Sequence, residues 1–531
     1  MLPALAPAIT ILTVAVLAAG CTAPSEPNDE QQGRDARSIV LADSTEPESL
    51  NPLLGYGAEG ASKLYDGLFA FDGKQELRPA LAAKRPEPAP DGKSWTVKIR
   101  KNVTFHDGSD LGADDVVATY RAALDPAYAS TVKSEFSMLT DVKRLDAETV
   151  RFDLKYSYAA WPAKMVLGIV PSEALAKRAP LDRSSLNTKP IGTGPYKLVN
   201  WRRGDQMSWA ANRDYWGGAP KVNKITVVFA PDDNTRAQRM QAGEFDGAVL
   251  PPTLAKTFDN SDTYRTVYHK SVDYRSITLP SGHPVTGDPA IRKALNLAVN
   301  RKGMVDGPLG GHGVPASTPF SPARPEFLEP EATFDFDRSE AERLLDSAGW
   351  KEGADGIRSK GGQRARFTVM YFADDSLRKE LAQAFASDAK EIGVQVELAG
   401  LDSSAVKPRL AKDAVVLGGG NPIDPDPQVY DALHSSRAGD GYANPGRYRN
   451  PTVDAALDKA RATTDPAQRS AYYREVQRSY VDDPGSVYLV FLEHAYLMRD
   501  EWNGYQPVIE PHTHGTTWGP WWNVEKWTPR G

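Results

Sequence analysis

The residues of this 531-residue chain that could do chemistry are few: eight histidines, one cysteine, and arginines and aspartates in a handful of loops. Hydrolysis by a metal or a serine would need His-Glu-x-x-His or Gly-x-Ser-x-Gly, and phosphate chemistry a glycine-rich loop that opens a helix after a strand; none stands where such a motif must. "GDGYAN" and "LGGGNP" are glycine-rich, but neither opens a helix in that way. His512-Thr513-His514 could present two imidazoles on one side of an extended strand, a pairing suited to nickel or zinc. The plainer expectation, preferred here, is a polar tail near the surface. "IGTGPY", Ile191 to Tyr196, reads either as a ligand loop or, preferred, as backbone geometry, its glycines supplying positive φ and close approach. The pattern predicts binding rather than catalysis, without a cofactor.

Hydrophobic periodicity predicts the elements that must position these groups. "SIVLAD" from Ser38 is a strand, Ala58 to Phe71 reads as a helix with Ala61, Leu64, Leu68 and Phe69 on one face, Trp95 to Arg100 alternates as a strand, and "ADDVVATYRAAL" is a helix. Two strand–helix–strand units follow. Lys224 to Ala230 leads through a helix over Asn234 to Ala242, capped by Asp232 or Asp233 and stopped by Gly243, to a strand over Phe245 to Leu250. Phe367 to Phe372 leads through Ser376 to Ile392, with Leu377, Leu381, Phe385, Ala389 and Ile392 in one stripe, to Val394 to Leu398. Such units imply parallel sheets covered by helices and, this far apart, two α/β lobes with a closable cleft at the carboxyl ends of their strands. "DAVVLG" is a buried strand whose following loop, Leu417 to Tyr430, should reach that cleft.

Composition fits this outline. Apolar residues make up 40% and charged residues 25%, and 11 Trp, 21 Tyr and 16 Phe supply more than one core. A net charge of −6 with no basic patch excludes a nucleic-acid partner. Leu2 to Ala19 is almost wholly apolar or small and runs into Leu17-Ala18-Ala19-Gly20-Cys21, which looks like a bacterial lipobox: small residues fit the peptidase that cuts before the cysteine, and the thiol carries the lipid. Cys21 is the expected lipidation site, residues 1–20 the signal peptide, and the polar residues 21–37 a flexible tether.

Four blocks carry a family resemblance. They are "DGLFAFDGKQELRPALA" with "DGKSWTVKIRKNVTFHDGSDLGADDVVATYRAAL"; the long segment from Ile191 to Leu250; "IRKALNLAVNRKGMV" with "RSEAERLLDSAGW"; and "YRNPTVDAALDKARATTDPAQRSAYYREVQR". In this order they resemble the peptide/nickel solute-binding proteins, family 5, over about Ser38 to Trp527. The resemblance implies an α/β, periplasmic-binding-protein-like clamp of type II (cluster C), with an extra subdomain. Residues 38–71, 191–273 and 489–531 would form lobe I, 72–190 its inserted subdomain, and 274–488 lobe II. It implies an extracytoplasmic, lipid-anchored monomer that serves an ABC permease pair and its ATPases.

For the site, the resemblance implies crossover strands at "DYRSITL", with Tyr274 and Arg275, and at "YLVFLEHAYLM", with His494. Arg275 could bind a ligand carboxylate bidentately or serve a structural ion pair, and both readings stay open. Peptide-binding members carry an aspartate for the peptide's α-ammonium; aligned on Asp424-Pro425, Asn421 stands there, and glycines Gly418 to Gly420 replace a common tryptophan. The ligand-binding candidates are therefore Tyr274, Arg275, Asn421, Asp424 and His494, with His512 and His514 for a metal. The lead ligand is a short peptide, the alternative nickel or another transition metal held by an organic chelator, and the third reading a sensor lipoprotein without transport.

Overall fold

A computed structural model describes residues 37–57, 60–420, 424–512 and 517–530. Strand β1 (Ser38–Asp43) buries Ile39, Leu41 and Ala42. A small antiparallel sheet follows, built from Glu87–Pro88, β2 (Ser94–Lys98), β3 (Leu139–Arg144) and β4 (Thr149–Leu154), with β4 lying between β2 and β3. Helix α1 (Ala113–Leu124) sets Tyr120 edge-on to Phe152 of β4, at 4.9 Å. The chain then forms β5 (Tyr196–Arg202), β6 (Gln206–Ala211), β7 (Lys224–Phe229), α2 (Asp233–Gln241), β8 (Gly247–Leu250) and the long β9 (Tyr264–Thr278). The second half contains β10 (Arg366–Phe372), α3 (Ser376–Glu391), β11 (Gln395–Leu401), β12 (Ala414–Gly419), α4 (Asp426–Leu433), α5 (Pro451–Ala462), α6 (Pro466–Asp482) and a second long strand, β13 (Ser486–Arg499).

Among the described residues these strands make one 11-stranded sheet in the order β11-β10-β12-β9-β13-β8-β1-β7-β6-β5, with a short strand at Gly313–Pro315 beside β13. Both predicted strand–helix–strand units are present. β10 and β11 pair directly and in parallel, Arg366 opposite Gln395. β7 and β8 do not touch: β1 lies between them, parallel to each, so the N-terminal strand completes a unit that local sequence makes look self-contained. The helix starts are set by side chains: Asp232 accepts from Thr235 N and Asp375 from Arg378 N, two of the donors that a helix leaves unpaired. Gly243 ends α2's turn at φ +78°.

Separate cores sit on either side of the long strands. One gathers Ile39, Trp209, Ile225 and Val227 with the C-terminal Trp521, Val524 and Trp527. The other buries Val369, Leu381, Phe385, Ala389 and Val416, where each large side chain contributes about 1.5–3 kcal/mol. The ends of α2 and α3 meet across the gap between them: Ser376 Oγ donates to Asp233 Oδ2 at 2.9 Å. No described helix is long and apolar enough to cross a membrane.

The helix expected over Ala58 to Phe71 is absent from its described residues. Residues 60–68 are irregular, and Phe69–Phe71 is a short strand. Carbonyls that a helix would use locally serve distant partners: Lys63 O accepts from Tyr196 N at 3.0 Å, Leu64 O from Gly194 N at 3.1 Å, and Leu68 O from Ala80 N and Ala82 N. The apolar face was real, since Leu64, Leu68 and Phe69 are buried, but tertiary pairing overrode the helical spacing. The same contact explains "IGTGPY". A Cβ at Gly192 would run into Leu64 O, and one at Gly194 would lie 2.5 Å from the Leu64 carbonyl carbon. The glycines are there for close approach; neither has a positive φ.

Candidate ligand-binding site

β9 and β13 pass from one half of the sheet to the other, paired with each other from Tyr264–Arg499 to Thr278–Ser486. In β9 the sequence places His269, Ser271, Asp273 and Arg275 two apart, and all four are buried. Buried polar groups need partners. The ladder slips between Lys270 and Tyr274, and the C-terminal tail fills the gap: Val272 N donates to Glu510 O at 2.9 Å, and Glu510 N to Lys270 O at 3.0 Å.

The tail brings a second carboxylate into the hinge. His494 of β13 lies between two acids, Nδ1 2.7 Å from Glu510 Oε2 and Nε2 3.0 Å from Asp273 Oδ2, so its imidazolium donates to both. Burial opposes the charge on His494, but the hydrogen bonds to Asp273 and Glu510 outweigh it and raise its pKa to about 9. Burial pushes Glu510 up, while His269 and His494 beside it bring it down to about 2. Asp273 is likewise opposed by burial, yet the charges of Arg275 and His512 and the imidazole hydrogen bonds hold it well below the usual carboxylate range. His269 Nδ1 is 2.6 Å from Glu510 Oε1, and Tyr496 OH donates to Glu510 Oε2 at 2.7 Å. Neither ring nitrogen of His494 faces a ligand: it cross-braces the hinge.

The tail's histidine also departs from expectation. His512 is near the surface but not free on a polar tail: its Nδ1 is 2.8 Å from Asp273 Oδ1, its N–H donates to Gly420 O at 2.9 Å, and its side chain is 33% exposed. The reason is long-range pairing of an extended segment with the slipped ladder, which no local pattern announces. His514 and Asn421 lie outside the described residues, as does Cys21. Among the described residues no three His, Cys, Asp or Glu side chains converge as a metal site would require. Tyr274 is buried edge-on against Tyr488, with ring centroids 4.9 Å apart. Asp424 is taken up by Arg469, which grips both its oxygens at 2.6 Å.

Of the five described arginines whose buried Nε has no hydrogen-bond partner, two, Arg275 and Arg378, lie on β9 and α3. Arg275 Nη1 donates to Asp273 Oδ1 and to Tyr274 O, but its buried Nε has no hydrogen-bond partner among the described residues. Arg378, in the first turn of α3, donates from Nη1 to Asp375 Oδ2 at 2.8 Å and lies over the Phe372 ring; its Nε is also buried without such a partner. Burial lowers the pKa of Arg378 and the charge of Arg275 lowers it further, while Asp375, Asp273 and Asp374 oppose the shift. Each guanidinium has an acid beside it, Asp273 for Arg275 and Asp375 for Arg378, and each keeps one buried donor that an anion could satisfy. Gly418 lets Arg275 and His512 approach β12: a Cβ there would sit 2.5 Å from Arg275 Nη1 and 2.6 Å from His512 Cε1. Beside it, Tyr274, Ser276, Gly418, Tyr442 and Tyr488 line about 450 Å³ of empty space that is partly open to solvent. Sequence reading missed Arg378, Asp273 and Glu510. The available signal was the His269, Ser271, Asp273 and Arg275 alternation in β9, and an Asp-x-x-Arg start to α3 that reads as a helix cap.

Comparison with known proteins agrees with this architecture. The family model for bacterial extracellular solute-binding proteins, family 5 Middle, matches residues 76–440. Protein XP55 of Streptomyces lividans is 44% identical over 497 residues, covering 94% of this chain and 91% of that one. The crystal structure of NikZ from Campylobacter jejuni in complex with Ni(L-His) superposes with a TM-score of 0.84 at 28% identity, covering 93% of this chain and 99% of that one. That of the oligopeptide-binding protein AppA from Bacillus subtilis, in complex with a nonapeptide, has a TM-score of 0.81 at 28% identity, with the same coverage. The family model describes solute-binding proteins and AppA is named as a binding protein, so the chain is a binding protein and not an enzyme.

Proposed function

The chain belongs to the bacterial extracellular solute-binding proteins of family 5, and from that premise we propose that it captures a small carboxylate-bearing ligand, in the lead case a short peptide, and hands it to an ABC permease pair driven by its own ATPases. The lobes close over the ligand, shifting the population toward the closed form. In this reading lobe I comprises residues 38–71, 191–273 and 489–531, the inserted subdomain 72–190, and lobe II 274–488. Cys21 carries the lipid that keeps the protein at the outer face of the membrane.

One observation carries the ligand class: the unused, buried Nε groups of Arg275 and Arg378. A carboxylate would relieve their mutual repulsion and supply charge-assisted hydrogen bonds. The carboxylate end of a short peptide fits that need. A second reading is favoured by His512, whose Nδ1 is held by Asp273. A carboxylate behind an imidazole is the arrangement that orients a histidine toward a metal, here one brought in by a chelator whose own carboxylates would meet the arginines. Among relatives, AppA is named for oligopeptides and NikZ was solved with Ni(L-His).

Native mass spectrometry with elemental analysis of the soluble form beginning at Thr22 tests the reading. A heterogeneous added mass of a few residues without metal is expected. Stoichiometric nickel or another metal with a defined small molecule would replace the lead with the chelate.

A further inference from the structure

Away from the arginines, a second set of polar groups crosses between the lobes. Tyr158 follows β4 and belongs to the core of the first half. Asp426 opens α4 and Arg461 closes α5; these helices build a different core around Val429, Leu433, Val453 and Leu457. Asp426 is fully buried, and Arg461 grips both its oxygens at 2.9 Å. The guanidinium lies 3.2 Å over the Tyr430 ring and 5.5 Å from that of Tyr158. Tyr158, also fully buried, donates its hydroxyl to Asp426 Oδ2 at 2.7 Å. Two flanking bonds join the same surfaces: Ser157 Oγ to Ala462 O at 2.8 Å, and Ala159 N to Arg461 O at 3.2 Å.

We infer that Tyr158, Asp426 and Arg461 form a closure latch: a preassembled carboxylate–guanidinium pair on one lobe that a tyrosine of the other engages only when the cleft shuts. The division of labour supports this. Asp426 and Arg461 satisfy each other within one lobe, so the open form leaves neither charge unpaired. Only the tyrosine needs to dock, and little side-chain entropy is lost because Arg461 is already stacked on Tyr430. Tyr158, Asp426 and Arg461 therefore set affinity as positioning residues, through the ratio of closed to open molecules and without touching the ligand. Asp424 adds to the preorganisation, since its Oδ1 accepts from Asp426 N at 2.9 Å while Arg469 holds both its oxygens. The inference holds whichever ligand the arginines take.

The test reads closure on the far side of the cleft. In the chain starting at Thr22, which has no other thiol, Asp233→Cys and Ser376→Cys replace the pair whose side chains meet at 2.9 Å. The rate of oxidative cross-linking then follows the closed population, even when that population is small. Adding Tyr158→Phe removes one hydrogen bond to a buried carboxylate and keeps the ring, and is expected to slow cross-linking by about tenfold. The reactivity of each single cysteine and the urea midpoint of the uncross-linked chain should stay unchanged. A rate within about twofold of the parent, with or without a lower urea midpoint, would assign Tyr158 to static packing and overturn the latch.

Discussion

Raising the pH from neutrality should weaken the hinge, and the size of the effect follows from His494. Its pKa rises from 6.5 to about 9 because Asp273 and Glu510 each accept a hydrogen bond from the buried ring. Below pH 6.5 the folded and unfolded chains both hold this proton, and the full contribution is present. Between 6.5 and 9 the unfolded chain releases it while the folded chain keeps it, so stability falls with each unit. Above 9 neither state holds it, and the contribution is gone. The difference corresponds to about 3 kcal/mol, with no discount for solvent screening because the side chain is only 4% exposed. Glu510 shares the same hydrogen bond, so its own depression is not added to this figure; it predicts a separate loss as pH falls from 4.5 through about 2. Urea unfolding of the soluble form at closely spaced pH values from 6 to 10 measures the slope. His494→Gln, which cannot carry the charge, should be less stable at pH 6 and lose most of the slope between 6.5 and 9. A parent curve that is flat across this range, or a variant with the parent's slope, would refute the reasoning.

Three further outcomes follow from single contacts. Arg378→Gln removes one of two like charges, so the ligand-free chain should unfold at the same or a higher urea concentration while ligand affinity, followed by calorimetry with the compound identified by mass spectrometry, falls by roughly ten- to a hundredfold; undiminished affinity would take the carboxylate away from this pair. Asp424→Ala leaves Arg469 buried without its acid and should cost about 3–5 kcal/mol in denaturant titration, whereas a ligand anchor would change affinity and leave stability alone. Gly192→Ala drives a Cβ into Leu64 O, a backbone atom that cannot swing aside, and should lower the melting temperature well beyond the few degrees of a surface change.

What the sequence makes legible here is local. The strand–helix–strand units show in the spacing of Leu381, Phe385 and Ala389, in the caps Asp232 and Asp375, and in the stop at Gly243. The loop after β12 is placed by rule, since loops at the carboxyl ends of strands reach the cleft. Contacts between distant segments are not legible. The apolar face of Ala61 to Phe69 signals burial, yet its backbone pairs with residues 80 to 82 and 194 to 196 rather than with itself. Glu510 and His512 sit in a stretch whose composition reads as surface, and only the slipped ladder at Lys270 to Tyr274 draws them inside. The glycines Gly418 to Gly420, which stand where a tryptophan is common, gain a reason only when Arg275, His512, Tyr274 and Val272 are seen packed against them. Arg378 escaped because a capped helix start is ordinary, and its meaning depends on a second guanidinium about a hundred positions earlier in the chain.

The two long strands carry a mechanical consequence. Because β9 and β13 are paired with each other on both sides of the slip at Lys270 to Tyr274, they cannot act as a pin about which two bodies swing freely; they behave as a torsion bar, and any rotation must wind or unwind their ladder. A uniform ladder would spread that strain evenly. This one is interrupted between Lys270 and Tyr274, where Ser271 Oγ bonds Leu492 O at 2.6 Å and Val272 turns to the tail. The interruption is the softest length of the bar, and the Asp273–His494–Glu510 brace is mounted across it. The stiffness of the clamp is therefore held in the charges of three side chains, where a change in one residue can alter how readily the protein closes while its two cores remain as they were.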